Sequence, residues 1–214
     1  MVRRSRSMSW TFTGLTTTAE RGPVTQASVP EPRYNQPHEG HFTRVTQLTY
    51  AEVGATRREP LPEHYRHLHY RTLIGTGADV FTRAAEAILT FRMHRSTGAH
   101  IGTVANRAAP GVRLTVGLGP ATAPCEVVWT VEDERQAGFG YGTLPGHQAR
   151  GEEAFLVERD GQDRVWFRVT AFSQPARWPM VLAGPAAEVL QRAYARALGR
   201  ALKRLCGDSR TVGS

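Results

Sequence analysis

Lysine is nearly missing from this chain. Lys203 is the only one among 27 basic residues, and the others are arginine. Alongside abundant alanine and glycine, that bias reads as the mark of a GC-rich genome rather than of an arginine-specific task. Cysteine is scarce too: Cys125 and Cys206 alone build neither a disulfide framework nor a zinc cluster, and they suit a reducing cytoplasm. No apolar run approaches the roughly 18 residues of a membrane-spanning helix. The first 18 residues, MVRRSRSMSWTFTGLTTT, lack the apolar stretch of a secretory signal. They carry Arg, Ser and Thr with no acid before Glu20, a faint likeness to a transit peptide, although a plain flexible tail explains them better.

Several chemistries lack their motif. There is no G-x-S-x-G elbow for a serine hydrolase. GVRLTVGLGP and GTGAD contain glycines but not the strand–fingerprint–helix pattern of a phosphate or dinucleotide loop. His64, His67 and His69 cluster, yet no carboxylate or cysteine follows at zinc spacing, so neither a metal nor another cofactor is expected. A formal net charge of +8 suits anionic partners, but no nucleic-acid module is recognisable, and a basic solvated surface accounts for the charge.

The remaining composition is that of one globular domain, with 214 residues, 40% hydrophobic and 21% charged. Residues 1–44 are rich in Ser, Thr, Pro and Arg without sustained period and read as a flexible basic and polar extension. A single domain is expected over 45–207, with a flexible tail at 208–214. The alternation of YRHLHYRTLI predicts a half-buried strand, with Leu68, Tyr70 and Ile74 facing one way. Thr76 and Asp79 resemble a capping box that opens a helix over 78–95, with Val80, Ala84, Ile88 and Phe91 on one stripe. Five strands follow: VRLTVGL, CEVVWTV, AGFGYGTL, EEAFLVER and RVWFRVTAF. In the second, Cys125, Val127, Trp129 and Val131 are expected on one face. Short turns between them imply an antiparallel meander. An amphipathic helix over 185–206 ends the domain, its arginine edge of Arg192, Arg196, Arg200 and Arg204 opposite an apolar stripe. That edge offers a weak contact for an anionic surface. The order predicts an α+β helix-grip fold, a curved antiparallel sheet wrapped around a long C-terminal helix.

The most informative stretch is FGYGTLPGHQARGEEAF at 139–155. Gly138, Gly140 and Gly142 share one strand face, so either neighbouring structure approaches closely or space is left for a ligand. His147 lies on a proline-glycine loop. Glu152 and Glu153 are adjacent and therefore point to opposite faces. One can face the interior while the other meets solvent, and alternation alone does not say which. An inward carboxyl would be a satisfied structural pair with Arg168 or His147, or a polar anchor or acid/base group at the end of an apolar pocket.

These residues also carry a resemblance. YGTLPGHQARGEEAF followed by VWFRVTAFSQPARW, with LTYAEVGAT and FRMHR, is similar to the signature of uncharacterised protein family 0548, over about 48–205. The family-like positions are Gly142, Thr143, Leu144, Gly146, His147, Gly151, Glu152 and Glu153. The resemblance implies a fold similar to the START and birch-pollen-allergen superfamily, whose members hold hydrophobic ligands between a curved sheet and a C-terminal helix. It implies no activity.

The expectation is thus a cytoplasmic protein that binds a small hydrophobic or amphipathic molecule under its last helix. Trp129, Tyr141, Thr143, His147, Glu152, Glu153, Phe155, Phe167 and Tyr194 are candidates for contact. Two alternatives remain: an enzyme on the same scaffold using Glu153 and His147 for acid/base chemistry, and a basic interaction module.

Overall fold

A computed structural model describes residues 48–119, 121–176 and 178–207. The expected extension at 1–44 and the tail at 208–214 lie outside the described residues. In chain order the elements are a short 3-10 helix (Ala55–Arg57), β1 (Arg66–Thr76), α1 (Ala78–Leu89), α2 (Arg92–Arg95) and β2 (His100–Gly102). Then come β3 (Arg113–Leu118), β4 (Ala121–Glu132), β5 (Gln136–Thr143), β6 (Ala149–Arg159), β7 (Arg164–Pro175) and α3 (Trp178–Gly207).

The seven strands form one antiparallel sheet in the order β1-β7-β6-β5-β4-β3-β2. The meander from β3 to β7 is the one its short turns predict, and β1 joins its far edge beside β7. Helices α1, α2 and α3 pack on the concave face. Phe139, Phe155, Phe167, Val169 and Val127 point into that layer with no solvent exposure. From α3 they meet Ala195, Leu198 and Leu202, and from α1 Ala84 and Ile88. This is the helix-grip architecture.

Four local expectations are corrected. The helix expected over 78–95 is two helices, because Phe91 takes a left-handed backbone (φ 60°) between α1 and α2. Such a conformation is unusual for a bulky residue. Here Phe91 is wholly buried, with its ring edge-on to Phe139 at 5.4 Å, and that packing offsets the local cost. The capping box does not form: Gly77 is the N-cap and no side chain caps the helix. The last helix begins at Trp178 rather than 185. A three-residue edge strand, β2, was too short to leave an alternating pattern.

Candidate functional site

The two glutamates lead to opposite sides of the sheet. Glu152 pairs across β5 with Gly142, and across β7 with Phe172, on the convex face. It does not meet solvent, since residues 48–58 fold over that face and leave it 2% exposed. Its Oε2 accepts from the Tyr50 hydroxyl (2.7 Å) and the Gly54 N–H (2.6 Å). Its Oε1 accepts from the Thr56 N–H (3.0 Å), the Thr56 hydroxyl and the Trp129 indole N–H (3.2 Å). Five donors satisfy the group and clasp the N-terminal segment to the sheet. Burial, then the charge and hydrogen bond of Glu152, raises the Tyr50 pKa.

This arrangement also explains the glycine face. A Cβ on Gly140 would stand 2.4 Å from the Trp129 indole nitrogen, and one on Gly142 would fall on the Tyr50 phenol. The close-approach reading therefore holds, and the glycines leave room for two aromatic rings of the protein itself. Trp129 reaches this face because β4 carries an irregularity: Val127 pairs with Tyr141, but Trp129 pairs with Gly140. The extra residue reverses the alternation. The expectation that Trp129 shares a face with Cys125 and Val127 is corrected, and the Trp129 and Glu152 side chains stand outside the concave interior.

Glu153 is the inward carboxyl. It lies on the concave face beside Tyr141, whose hydroxyl donates to Oε2 (2.9 Å). Burial pushes the Glu153 pKa up to about 7, against the lowering effect of that hydrogen bond. Neither anticipated cation pairs with it. Arg168 is turned to Glu158 (2.9 Å). His147 Nδ1 lies 2.9 Å from both the backbone N and O of Ala149, and burial lowers its pKa. His147, Thr143, Tyr141 and Glu153 nevertheless line one small cavity of ≈ 50 Å³, together with Glu152, Ala171, Ser173 and Gln191 among others. The Thr143 hydroxyl is taken up by Thr49 Oγ1 (2.6 Å) and the Gly151 N–H (3.0 Å).

Tyr194 comes from α3, one turn beyond Gln191. Burial and then the charge of Glu153 raise its pKa. Cys125 faces the same layer, and its thiol is pushed up by burial and again by Glu153. Phe155 packs between Tyr141 (5.3 Å between ring centroids) and His94 (4.6 Å). Phe167 lies farther along the layer against Tyr70. The site therefore gathers Tyr141, Thr143, His147, Glu153, Phe155 and Tyr194, with Phe167 in the core beyond. A larger hollow of ≈ 540 Å³ beside α1 is an open depression. There Arg107 already bridges Glu86 (2.6 Å) and Glu132 (2.5 Å).

Sequence reasoning missed His94. It is 1% exposed, and burial holds its pKa down at about 3. Nothing in FRMHR signals this, because the inward turn depends on the break at Phe91.

The pattern of the domain of unknown function DUF1990 matches residues 49–201. The chain belongs to this family. A UPF0548 protein of Deinococcus radiodurans is 34% identical to this DUF1990 chain over 177 residues, covering 74% of the chain and 89% of that protein. A UPF0548 protein of Arabidopsis thaliana is 28% identical over 138 residues, covering 60% of the chain and 67% of that protein. Among solved structures, a hypothetical protein from Helicobacter pylori superposes with a TM-score of 0.53 at 14% identity, covering 72% of the DUF1990 chain and 95% of its own. Norcoclaurine synthase from Thalictrum flavum, in complex with dopamine and hydroxybenzaldehyde, superposes with a TM-score of 0.50 at 12% identity, covering 69% and 89%. At such identities the likeness establishes the shared fold alone. None of the described helices of the DUF1990 chain is long and apolar enough to cross a membrane.

Proposed function

We propose that this protein binds a small hydrophobic or amphipathic molecule between the sheet and α3, with Glu153 as its polar anchor. One observation carries the reading. The inward stripe of α3 is buried at Leu198 and Leu202 and half-buried at Tyr194, yet Leu190, one turn earlier on that stripe, is 71% exposed. Val189 beside it is 65% exposed. The helix thus leaves apolar surface uncovered at the end where the Glu153 cavity lies, which Gln191 lines. At ≈ 50 Å³ the cavity is too small for even a small aromatic ring, which needs roughly 150 Å³. A ligand therefore enters by displacing this half of α3, and the uncovered side chains then gain a partner.

The fold supports the reading in general terms, since the norcoclaurine synthase structure contains two small aromatic molecules. A second reading adds acid/base catalysis to the same site. It is favoured by the Glu153 pKa of about 7, which lets the group both take and give a proton near neutrality. His147 lines the same cavity, and because its Nδ1 serves its own loop, it would assist through Nε2.

Native mass spectrometry of freshly purified protein, followed by extraction of any adduct, tests both readings. The expected result is a reproducible apolar adduct that Ala171→Phe, which fills the cavity, no longer retains. Incubating the extracted compound with the protein then separates the readings, because Glu153→Gln abolishes conversion and keeps binding only if Glu153 is catalytic. Protein that carries no adduct and takes up no apolar dye in competition with Ala171→Phe would overturn the proposal.

A further inference from the structure

The outer face of α3 joins two features that a solvated helix surface does not need together. Val189 and Leu190 are exposed, as are Ala186 and Ala193 one turn to either side. At about 3.6 residues per turn, Val189 lies roughly opposite the buried Leu198, with Leu190 at the margin between the two faces. Val189 can therefore be covered only from outside the molecule. Farther along, the same helix turns basic. Arg192, Arg196, Arg200, Lys203 and Arg204 are all exposed, and Glu188 is the one carboxylate on α3. Among the described residues none of these five cations has an ion-pair partner. Arg107, Arg113, Arg159, Arg164 and Arg168, by contrast, each hold a carboxylate.

Three occupants of this face can be compared. A second copy of the chain would set five cations against five, with one carboxylate from each helix to offset them. Single-stranded RNA supplies phosphates, but its bases stack on aromatic rings or guanidinium planes, which leaves the aliphatic Val189 and Leu190 uncovered. A bilayer that contains anionic lipid meets both demands: headgroup charge for the arginines, and an acyl boundary for the two aliphatic side chains.

We infer that α3 docks on an anionic bilayer surface, with Val189 and Leu190 dipping into the headgroup–acyl boundary and Arg192, Arg196 and Arg200 on the headgroups. The contact lies on the bilayer, since none of the described helices is long and apolar enough to cross it. Gln191 stands between the two groups in sequence and lines the Glu153 cavity. Docking thus carries the α3 wall of that cavity to the lipid, although the contact stands whether or not the cavity takes a ligand.

The test is co-sedimentation of the full chain with vesicles of phosphatidylcholine, alone or with about 30% phosphatidylserine, at about 50 and 500 mM NaCl. Binding to the phosphatidylserine vesicles is expected to be about tenfold or more tighter at the lower salt, and to weaken sharply at the higher. An arginine near such a surface is worth about fivefold, so Arg192→Gln with Arg196→Gln should weaken binding about 25-fold. Val189→Ser with Leu190→Ser should weaken it about tenfold, at either salt. All four positions are exposed, so unfolding midpoints should stay at the parent's value and separate lost binding from lost fold. Phosphatidylserine vesicles that sediment no protein would overturn the proposal. Vesicle binding indifferent to either pair of substitutions overturns it too, because the contact then belongs to another basic segment or lacks the apolar insertion. A preference for a uridine oligonucleotide over the vesicles would make this a nucleic-acid surface instead.

Discussion

Adjacent glutamates with unlike surroundings show how little a residue's type says about its role. Glu152 has five donors and no access to water, whereas Glu153 has one donor and an apolar wall. Alternation along β6 predicted that they part company, because successive strand residues face opposite ways. It did not predict which was which, since both faces of β6 are apolar and the deciding partners, Tyr50 and Thr56, lie about 100 positions away. The glycine face was legible as a close approach, but the two rings that fill it were not. Trp129 reached it only through an irregularity in β4 that no residue in CEVVWTV announces. Glu152→Ala leaves the Tyr50 hydroxyl and the Gly54 and Thr56 N–H groups without an acceptor, while the Trp129 indole keeps Thr56 Oγ1 (3.0 Å). At about 1–3 kcal/mol for a buried unsatisfied group, and with several involved, the loss should reach about 3 kcal/mol or more. Gly140→Ala pushes its methyl into the Trp129 ring and should cost about 1–3 kcal/mol by overpacking. Urea unfolding midpoints measure both. An unchanged midpoint for Glu152→Ala would mean that residues 48–58 do not depend on the clasp.

Elements with a regular pattern were readable, and those decided by a single packing event were not. Strands β3 to β7 and the inward face of β1 follow from alternation, and the Ala84–Ile88 stripe placed α1. The break at Phe91 lay beyond reach because the residue that adopts the left-handed conformation is an aromatic rather than a glycine. Its reason is a ring contact with β5. For α3 the pattern was right but its uniformity misleading: on one apolar stripe, Leu198 and Leu202 are buried whereas Leu190, with Val189 beside it, is exposed. Arg192, Arg196 and Arg200 face solvent as expected. The two halves should respond differently to mutation. Leu198→Ala, at a fully buried position, should lose about 2–5 kcal/mol. Leu190→Ser, on the same stripe, should stay within about 0.5 kcal/mol, as surface changes do. Equal losses at both positions, by thermal or urea unfolding, would show that α3 is seated on the sheet at Leu190 as well.

For the whole molecule, two buried titratable groups on one concave face oppose each other in proton balance. Glu153 has its pKa raised by burial from 4.5 to about 7, so the folded protein binds a proton there that the unfolded chain has lost. Its contribution to stability is fully present below pH 4.5 and is lost as pH rises through 7. His94 has its pKa lowered by burial from 6.5 to about 3, so the unfolded chain takes up a proton that the folded protein refuses. Its contribution is fully present above pH 6.5 and is lost as pH falls towards 3. Between pH 4.5 and 6.5 the folded state holds an extra proton at Glu153 and the unfolded state one at His94. The counts cancel, and these two groups leave stability level across that window. Glu153→Gln removes one side of the balance. The variant should then gain stability with rising pH over 4.5–6.5 at about 1.4 kcal/mol per pH unit, the slope of one unmatched proton. By pH 8 it should exceed the parent by at most about 3 kcal/mol more than at pH 4.5. Chemical denaturation of both proteins across pH 4 to 8 gives the difference curve directly, and it isolates Glu153 from every other titrating group. Parallel curves would mean that water reaches the Glu153 carboxyl freely. A ligand anchored there would then have to compete with solvent rather than relieve a buried group.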